Sequence, residues 1–195
     1  MSLSRAALRL AALLLACTLG TSAPAPAAES TPAPAAACDT VRTEEVAQIV
    51  GFTLQPPEET SRTAGICFFA GRSVDDQGSA SYALVTADAL ARRRPYFAAL
   101  ARRCAGVVSG APRAAACASY AKLADANDLD EYFAARTGSD ADPVAGLGSG
   151  ALATKTAVYV RRGAYVVEAT VLIGEAFDLP KTTALVKLLL ARLEP

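Results

Sequence analysis

Residues 151–173 read ALATKTAVYVRRGAYVVEATVLI, and this stretch decides the fold. Two β-rich runs, 152–161 and 164–173, flank Arg162-Gly163, a dipeptide typical of a tight hairpin turn. In the second run, apolar side chains occupy the alternate positions from Tyr165 to Ile173, and the polar Glu168 and Thr170 fall on the other face. This alternation predicts an antiparallel hairpin whose sheet packs on one side.

A second hairpin is predicted upstream, from residues 66–71 (ICFFAG) and 80–87 (ASYALVTA), with a turn-rich link at 73–78. Downstream, Asp178-Leu-Pro180 opens a C-terminal helix that extends to about Leu193 and has an apolar leucine face.

Four further segments have helical patterns: 43–50, 88–104, 113–124 and 128–136. Asp39 or Thr43 is the expected cap of the first, and Asp128 with Glu131 resembles a capping box at the start of the last. Pro95 predicts a kink or a fresh start within the second.

These elements predict an α+β domain with a mainly antiparallel sheet of two β-hairpins and packed helices, including the C-terminal helix. The expected core residues are Phe68, Leu84, Leu100, Val158, Val160, Val167, Val171, Leu185, Leu188 and Leu189.

The composition excludes several chemistries. The 195-residue chain has no His, the base of Ser-His-Asp and Cys-His catalysis and the ligand of histidine-bearing zinc sites. It has 19 basic and 19 acidic side chains, and zero net charge argues against nucleic-acid binding. We therefore expect a non-enzyme with no metal and no cofactor.

Residues 1–16 are predicted to be a signal peptide, because Arg5 and Arg9 precede a short apolar run. Leu14-Leu-Ala16-Cys17 resembles a bacterial lipobox, in which the cysteine becomes the first mature residue and receives a diacylglycerol. Cys17 is thus the expected lipid (palmitate-type) attachment site, which would anchor the protein at the extracytoplasmic face of the cell membrane. Ordinary cleavage after Ala27 is the alternative, and it would give a secreted protein.

The segment from the lipidated cysteine to residue 37 is rich in Ala and Pro and has no apolar periodicity. Such a sequence favours extended polyproline conformation and, at about 3.1 Å per residue, twenty residues would reach roughly 60 Å. Residues 17–37 are therefore interpreted as a tether, or alternatively as a solubilising tail, in front of one domain at 38–195.

Four cysteines follow this segment: Cys38, Cys67, Cys104 and Cys117. An even number in an exported domain predicts two structural disulfides, for which three connectivities exist. We favour Cys38–Cys67, which would pin the start of the domain to its sheet, and Cys104–Cys117, which flanks a turn-rich link. No C-x-x-C motif indicates a redox role.

Three patterns invite a binding interpretation. Gly146-Leu-Gly148-Ser-Gly150 departs from a nucleotide-binding loop in spacing and is interpreted as a turn. Residues 125–131 offer oxygen atoms suited to calcium, but the predicted capping box uses them too. A basic run is either a contact for a polyanion or anionic lipid or a solvated helix face: Arg92, Arg93, Arg94, Arg102, Arg103 and Arg113.

Short motifs in residues 38–195 resemble a domain-of-unknown-function family of actinobacterial lipoproteins. They are Cys38-Asp39 with Glu44-Glu-Val-Ala47 and Gly51, Gly65-Ile-Cys67, Val144-Ala-Gly-Leu-Gly148 with Ala151, and Val160-Arg-Arg-Gly163 with Tyr165-Val-Val167. The resemblance implies a lipidated envelope protein with a disulfide between the positions of Cys38 and Cys67 and no assigned activity. Phe69 stands where members often carry Trp, and the Cys104–Cys117 pair is an addition.

The predicted function is that of a membrane-tethered lipoprotein with a non-enzymatic binding or interaction domain for an envelope protein. The alternative is an extracytoplasmic sensor or carrier of a small apolar ligand, bound between the sheet and the C-terminal helix. A hydrolase that works with carboxylates alone is the third hypothesis.

Overall fold

The computed structural model describes residues 37–59, 65–72, 77–107 and 113–193. The predicted signal peptide, Cys17 and nearly all of the predicted tether lie outside these residues. So do parts of the links at 73–78 and 106–112.

The described segments form eight strands and five α-helices. The strands are β1 (Glu58–Glu59), β2 (Ile66–Ala70), β3 (Gly78–Thr86), β4 (Asp142–Pro143), β5 (Ala151–Ala153), β6 (Val158–Arg162), β7 (Tyr165–Ile173) and β8 (Ala176–Phe177). The helices are α1 (Thr43–Val50), α2 (Ala87–Arg103), α3 (Ala114–Asp125), α4 (Leu129–Thr137) and α5 (Leu179–Leu193), preceded by a 3-10 turn at Ala37–Asp39.

All strands pair antiparallel in one sheet of order β1-β2-β3-β7-β6-β5-β4. The short strand β8 pairs with the last two residues of β7, beyond the part of β7 that pairs with β6. The two predicted hairpins are present as β2–β3 and β6–β7. They are joined through β3 and β7, which pair along their whole length from Gly78 opposite Ile173 to Thr86 opposite Tyr165. The predicted α+β class with a mainly antiparallel sheet and a C-terminal helix is confirmed.

The predicted strand at 152–161 is wrong in extent, because it is two strands. Thr154 interrupts it: the Thr154 hydroxyl accepts hydrogen bonds from the backbone N–H groups of Thr156 and Ala157, at 3.3 and 3.2 Å. Such side-chain-to-backbone bonds favour turns over strand pairing. The result is a tight β5–β6 turn that adds a strand to the sheet.

The sheet is buried on both faces, so the predicted one-sided packing is wrong. On one face, α1 and α5 cover a core that includes Val160, Val167 and Leu185. On the other face, α2, α3 and α4 cover a second core, where Val166 is 0 % exposed and the Glu168 residue is 9 % exposed. The polar Glu168 suggested an open face, but this side chain is enclosed by ion pairs instead.

Most predicted core residues are buried, and the exceptions follow the strand register. The buried ones are Val158, Val160, Val167, Val171, Leu185 and Leu189. Three others, Leu84, Leu100 and Leu188, are half-buried at the margins of the two cores. The prediction of Phe68 as a core residue is wrong. Its neighbour Phe69 is fully buried, whereas Phe68 lies on the opposite face of β2 and is half-buried.

The N-cap of the first helix is neither of the two expected residues. Its N-cap is Arg42, whose backbone N–H donates to the carboxylate of Glu45 at 2.9 Å. The same carboxylate pairs with Arg192 of α5. The Arg42 backbone bond and these arginine side chains lower the pKa of Glu45 to about 2. The expectation that Asp39 or Thr43 caps this helix is therefore wrong. The cap is formed by the Arg42 backbone N–H and the Glu45 carboxylate instead.

The second helix runs through Pro95 without restarting, so of the two expected outcomes, a kink or a fresh start, the fresh start is wrong. Thr86 caps it, since the Thr86 hydroxyl accepts from the N–H of Ala89 at 3.2 Å. Proline removes the bond that its own N–H would make to the carbonyl of Ala91. Both Ala91 and Pro95 are exposed, so water can replace that bond.

One buried hydroxyl joins α5 to the central strand. Thr182 is fully buried, and its hydroxyl donates to the Asp178 carbonyl at 2.7 Å and accepts from the Val171 N–H at 2.9 Å.

Thr182→Val keeps the shape of the side chain but leaves the Val171 N–H buried without this acceptor. We expect a loss of about 1–3 kcal/mol in the free energy of unfolding, measured by urea denaturation. Thr183→Val, at a half-buried neighbour, is the control, and an equal loss in both variants would contradict the assignment.

Candidate functional site

The most polar buried feature of the described residues is an ionic cluster between the sheet and the second helical layer. Glu168 of β7 lies at its centre, with Tyr159 of β6 opposite it in the register. Arg93 comes from α2, and Tyr132 and Arg136 come from α4. Three parts of the chain that are distant in sequence, namely α2, α4 and the β6–β7 hairpin, therefore meet at one carboxylate.

The carboxylate of Glu168 receives donors from both helices. The Tyr132 hydroxyl donates to Glu168 Oε1 at 2.8 Å, and Arg136 Nε donates to the same oxygen at 2.7 Å. Arg93 Nη1 lies 3.5 Å from Glu168 Oε2 and donates to the Tyr132 hydroxyl at 3.0 Å. The Arg136 guanidinium also lies over the Tyr159 ring, 5.3 Å from its centroid.

Burial and charge define the protonation states in this cluster. Burial raises the pKa of the Tyr132 hydroxyl well above its usual range, and the nearby Glu168 charge raises it further. Burial also raises the pKa of Tyr159 to about 12. Burial alone lowers the pKa of Arg136, but the Glu168 carboxylate more than offsets this and the net pKa is raised. Both tyrosines are therefore neutral and Arg136 stays charged at neutral pH.

This arrangement is suited to holding the helices against the sheet. The carboxylate of Glu168 is already engaged with two guanidinium groups, and no second carboxylate is paired with it among the described residues. Acid–base hydrolysis by two carboxylates needs both groups to face a shared substrate. The cluster lacks that geometry.

A small cavity adjoins the cluster on the sheet surface. Its volume is about 120 Å³, and its lining includes Arg136, Glu168, Ser81 and Thr170. Ligand pockets for drug-sized molecules span roughly 300–1,000 Å³. This cavity has room for a few waters or a small ion.

A larger and open groove of about 540 Å³ lies on α3 and α4. Asp125, Asn127 and Glu131, three of the residues weighed as calcium ligands, line it. Their neighbour Asp128 caps α4 by accepting from two backbone N–H groups, and Asp130 pairs with Arg161 at 2.7 Å.

The predicted capping box is confirmed only in part. The Glu131 carboxylate accepts from the backbone N–H of Asn127 at 2.7 Å, one residue before the cap. These bonds employ the acidic oxygens locally. The described segments contain no group of three or more His, Cys, Asp or Glu residues able to hold a metal ion.

The glycine-rich stretch 146–150 contributes one buried side chain, Leu147, to the first core. Gly146 and Gly148 have φ of 77° and 90°, and Leu147 between them is buried in that core. Arg162 Nη2 donates to the Leu147 carbonyl at 2.9 Å. The stretch leads into β5 and holds a side chain inward, which supports its interpretation as a structural turn.

The basic run divides between core and surface. Arg93 is 4 % exposed and belongs to the ionic cluster, and Arg94 donates to Ala126 and Asn127. The other four arginines of the run are exposed: Arg92, Arg102, Arg103 and Arg113. Sequence reasoning missed the inward Arg93, although its spacing from Leu90 and Phe97 matches the buried stripe of α2.

The four domain cysteines form two disulfides in the favoured pairing. Cys38 and Cys67, with Cα atoms 5.1 Å apart, join the start of the domain to β2. Cys104 and Cys117, with Cα atoms 5.5 Å apart, join α2 to α3. Both bridges have a structural role, because each joins two elements that also pack against one another: the 3-10 turn with β2, and α2 with α3.

The interface between α5 and the sheet is filled by side chains. Val167, Val171, Leu185 and Leu189 meet there and are all at most 1 % exposed. An apolar ligand at this interface would have to displace them. Nothing in this interface supports the carrier hypothesis.

No family model, curated protein or solved structure matches the chain. The helices of the described segments also include none with the length and apolar character needed to cross a bilayer.

Replacing Glu168 tests the role of the ionic cluster. Glu168→Gln leaves the buried Arg93 and the half-buried Arg136 without their counter-charge, and we expect a loss of about 3–5 kcal/mol in the free energy of unfolding. Guanidinium denaturation followed by circular dichroism measures it. Glu175→Gln, at an exposed position just after β7, is the matched control. A loss below about 1 kcal/mol for Glu168→Gln would contradict a structural role for the cluster.

Proposed function

We propose that this protein is an exported lipoprotein, anchored to the cell membrane through Cys17, with a non-enzymatic binding domain at residues 38–195. The observation that carries the proposal is the pairing of all four domain cysteines in two disulfides. Cytosolic thiols are kept reduced, so two structural disulfides in one small domain favour an oxidising, extracytoplasmic location. The lipobox-like sequence before Cys17 supplies the means of export and anchoring.

A binding role is supported over catalysis by the chemistry that the domain offers. The chain has no His, and its buried carboxylate Glu168 is engaged with two arginines and a tyrosine. The reactive groups of the cluster are thus used to hold the fold together. An interaction with an envelope protein is the function we propose for the exposed surface of the domain.

Membership of the actinobacterial lipoprotein family is part of the same proposal. It is supported by the order of the short motifs and by the Cys38–Cys67 disulfide that the resemblance implies. Secretion after ordinary cleavage is the competing localisation.

Mass spectrometry of the mature N-terminus from a membrane fraction tests the anchor. We expect a diacylated peptide that begins at Cys17, and we expect alkylation without reductant to label none of the four domain cysteines. Cys17→Ser should abolish the modification and the membrane association that resists a high-salt wash, whereas Cys104→Ser with Cys117→Ser should leave both intact. An unmodified N-terminus at Ala28 would overturn the lipoprotein assignment.

Cross-linking in intact cells tests the binding role separately. We expect the wild-type chain to capture a specific envelope protein. Treating the cells first with a reductant, which opens the two disulfides, should abolish this capture. Capture of no specific partner would contradict the binding role and leave the anchor in place.

A further inference from the structure

The positive charge of this neutral protein is concentrated in one helical hairpin. Helices α2 and α3 pack against each other, and the Cys104–Cys117 bridge joins them. Residues 87–125 contain seven basic and two acidic side chains, and without the buried Arg93 the balance is six against two, a net charge of +4. From residue 17 onward, the rest of the chain has 10 basic and 17 acidic side chains, a net charge of −7.

The exposed side of α2 gathers several of these charges around one aromatic ring. At about 100° per residue, Arg92, Tyr96 and Arg103 fall within roughly 40° of the helix circumference. Arg102 and the single carboxylate Asp88 lie further round the same exposed side. Tyr96 is 62 % exposed, so its ring is available for contact.

No carboxylate of the described segments neutralises these charges. None of the four exposed arginines (Arg92, Arg102, Arg103 and Arg113) forms an ion pair with a carboxylate of the described segments. Their attraction for an external anion is therefore not reduced by a carboxylate among the described residues.

Apolar exposure coincides with this charge. Four large hydrophobic side chains of the described residues are exposed, and two of them lie in this region: Tyr96 in α2 and Val107 in the link between α2 and α3. Basic residues together with an exposed aromatic ring are typical of surfaces that lie at a lipid headgroup layer. A soluble polyanion would use the arginines and leave the ring without a role.

We infer that the exposed surface of the α2–α3 hairpin, defined by Arg92, Tyr96, Arg102, Arg103 and Arg113, binds the anionic headgroups of a lipid bilayer. The inference rests on the proposed lipid anchor, which would hold the domain within reach of the membrane. The arginines neutralise lipid phosphates and Tyr96 enters the interfacial layer. The domain then lies against the bilayer with its acidic remainder turned away.

Vesicle flotation of residues 18–195, oxidised and without a lipid, tests the inference. Both cores and both disulfides lie within residues 37–193, so this chain retains the whole described fold. We expect binding to phosphatidylglycerol-containing vesicles at low salt, none to pure phosphatidylcholine, and release at high salt.

Matched variants locate the surface. Arg92→Gln with Arg102→Gln and Arg103→Gln should lower the partition coefficient by roughly 5-fold per arginine, on the order of 100-fold in all. The control, Arg72→Gln with Lys155→Gln and Lys187→Gln, removes the same charge from exposed positions outside the hairpin and should change it far less. An equal loss in both triple variants, or no binding by the wild type, would overturn the inference.

Tyr96→Ser separates a lipid surface from a soluble polyanion. We expect it to weaken vesicle binding several-fold while leaving binding to polyphosphate unchanged. If Tyr96→Ser has no effect on vesicles and polyphosphate competes fully, the surface is a polyanion site and the lipid assignment is wrong. A diacylated Cys17 without vesicle binding would refute this inference alone, and vesicle binding with an unmodified N-terminus would refute only the anchor.

Discussion

The full-length pairing of β3 with β7 is the constraint on which the rest of this structure depends. It joins two hairpins that are more than sixty residues apart in sequence into one sheet. Because β3 also pairs with β2 and β7 also pairs with β6, both strands are central and their backbone groups are bonded on both sides. Each helical layer covers one face of this pair, so both cores include residues from β3 and β7.

Burial on both faces explains why a charged residue occupies the middle of the sheet. Glu168 lies on the face that α2 and α4 cover, and its carboxylate receives Arg136 and Tyr132 from one helix and Arg93 from another. A buried charge is tolerated only when it is paired and hydrogen-bonded. The same pairings specify where α2 and α4 sit, and they leave the opposite side of α2 free to display its remaining arginines to solvent.

Local patterns made much of this fold predictable, and long-range contacts account for the rest. The hairpin turn at Arg162-Gly163, the helix at 43–50 and the C-terminal helix follow from turn chemistry and apolar spacing, and the structure contains all three. The second helical layer on the sheet could not be foreseen, because Glu168 reads as a solvent-facing residue until Arg93 and Arg136 are brought to it. Likewise, Arg92-Arg93-Arg94 reads as one basic run, although helical geometry turns its middle residue into the core. The disulfide pairing was favoured from element positions, and only the three-dimensional contacts decide among three connectivities.

Native-state hydrogen exchange tests the central place of β3 and β7 most directly. The account predicts that amides in 79–83 and 165–169, which are bonded to neighbours on both sides, exchange only through global unfolding and are the slowest in the domain. Amides of α3 and of the short strand β5, which lies next to the edge strand β4, should exchange through smaller local openings. If the β2–β3 hairpin exchanged as a separate unit at lower free energy than β6–β7 and α5, the two hairpins would not form one cooperative sheet, and the account would be wrong.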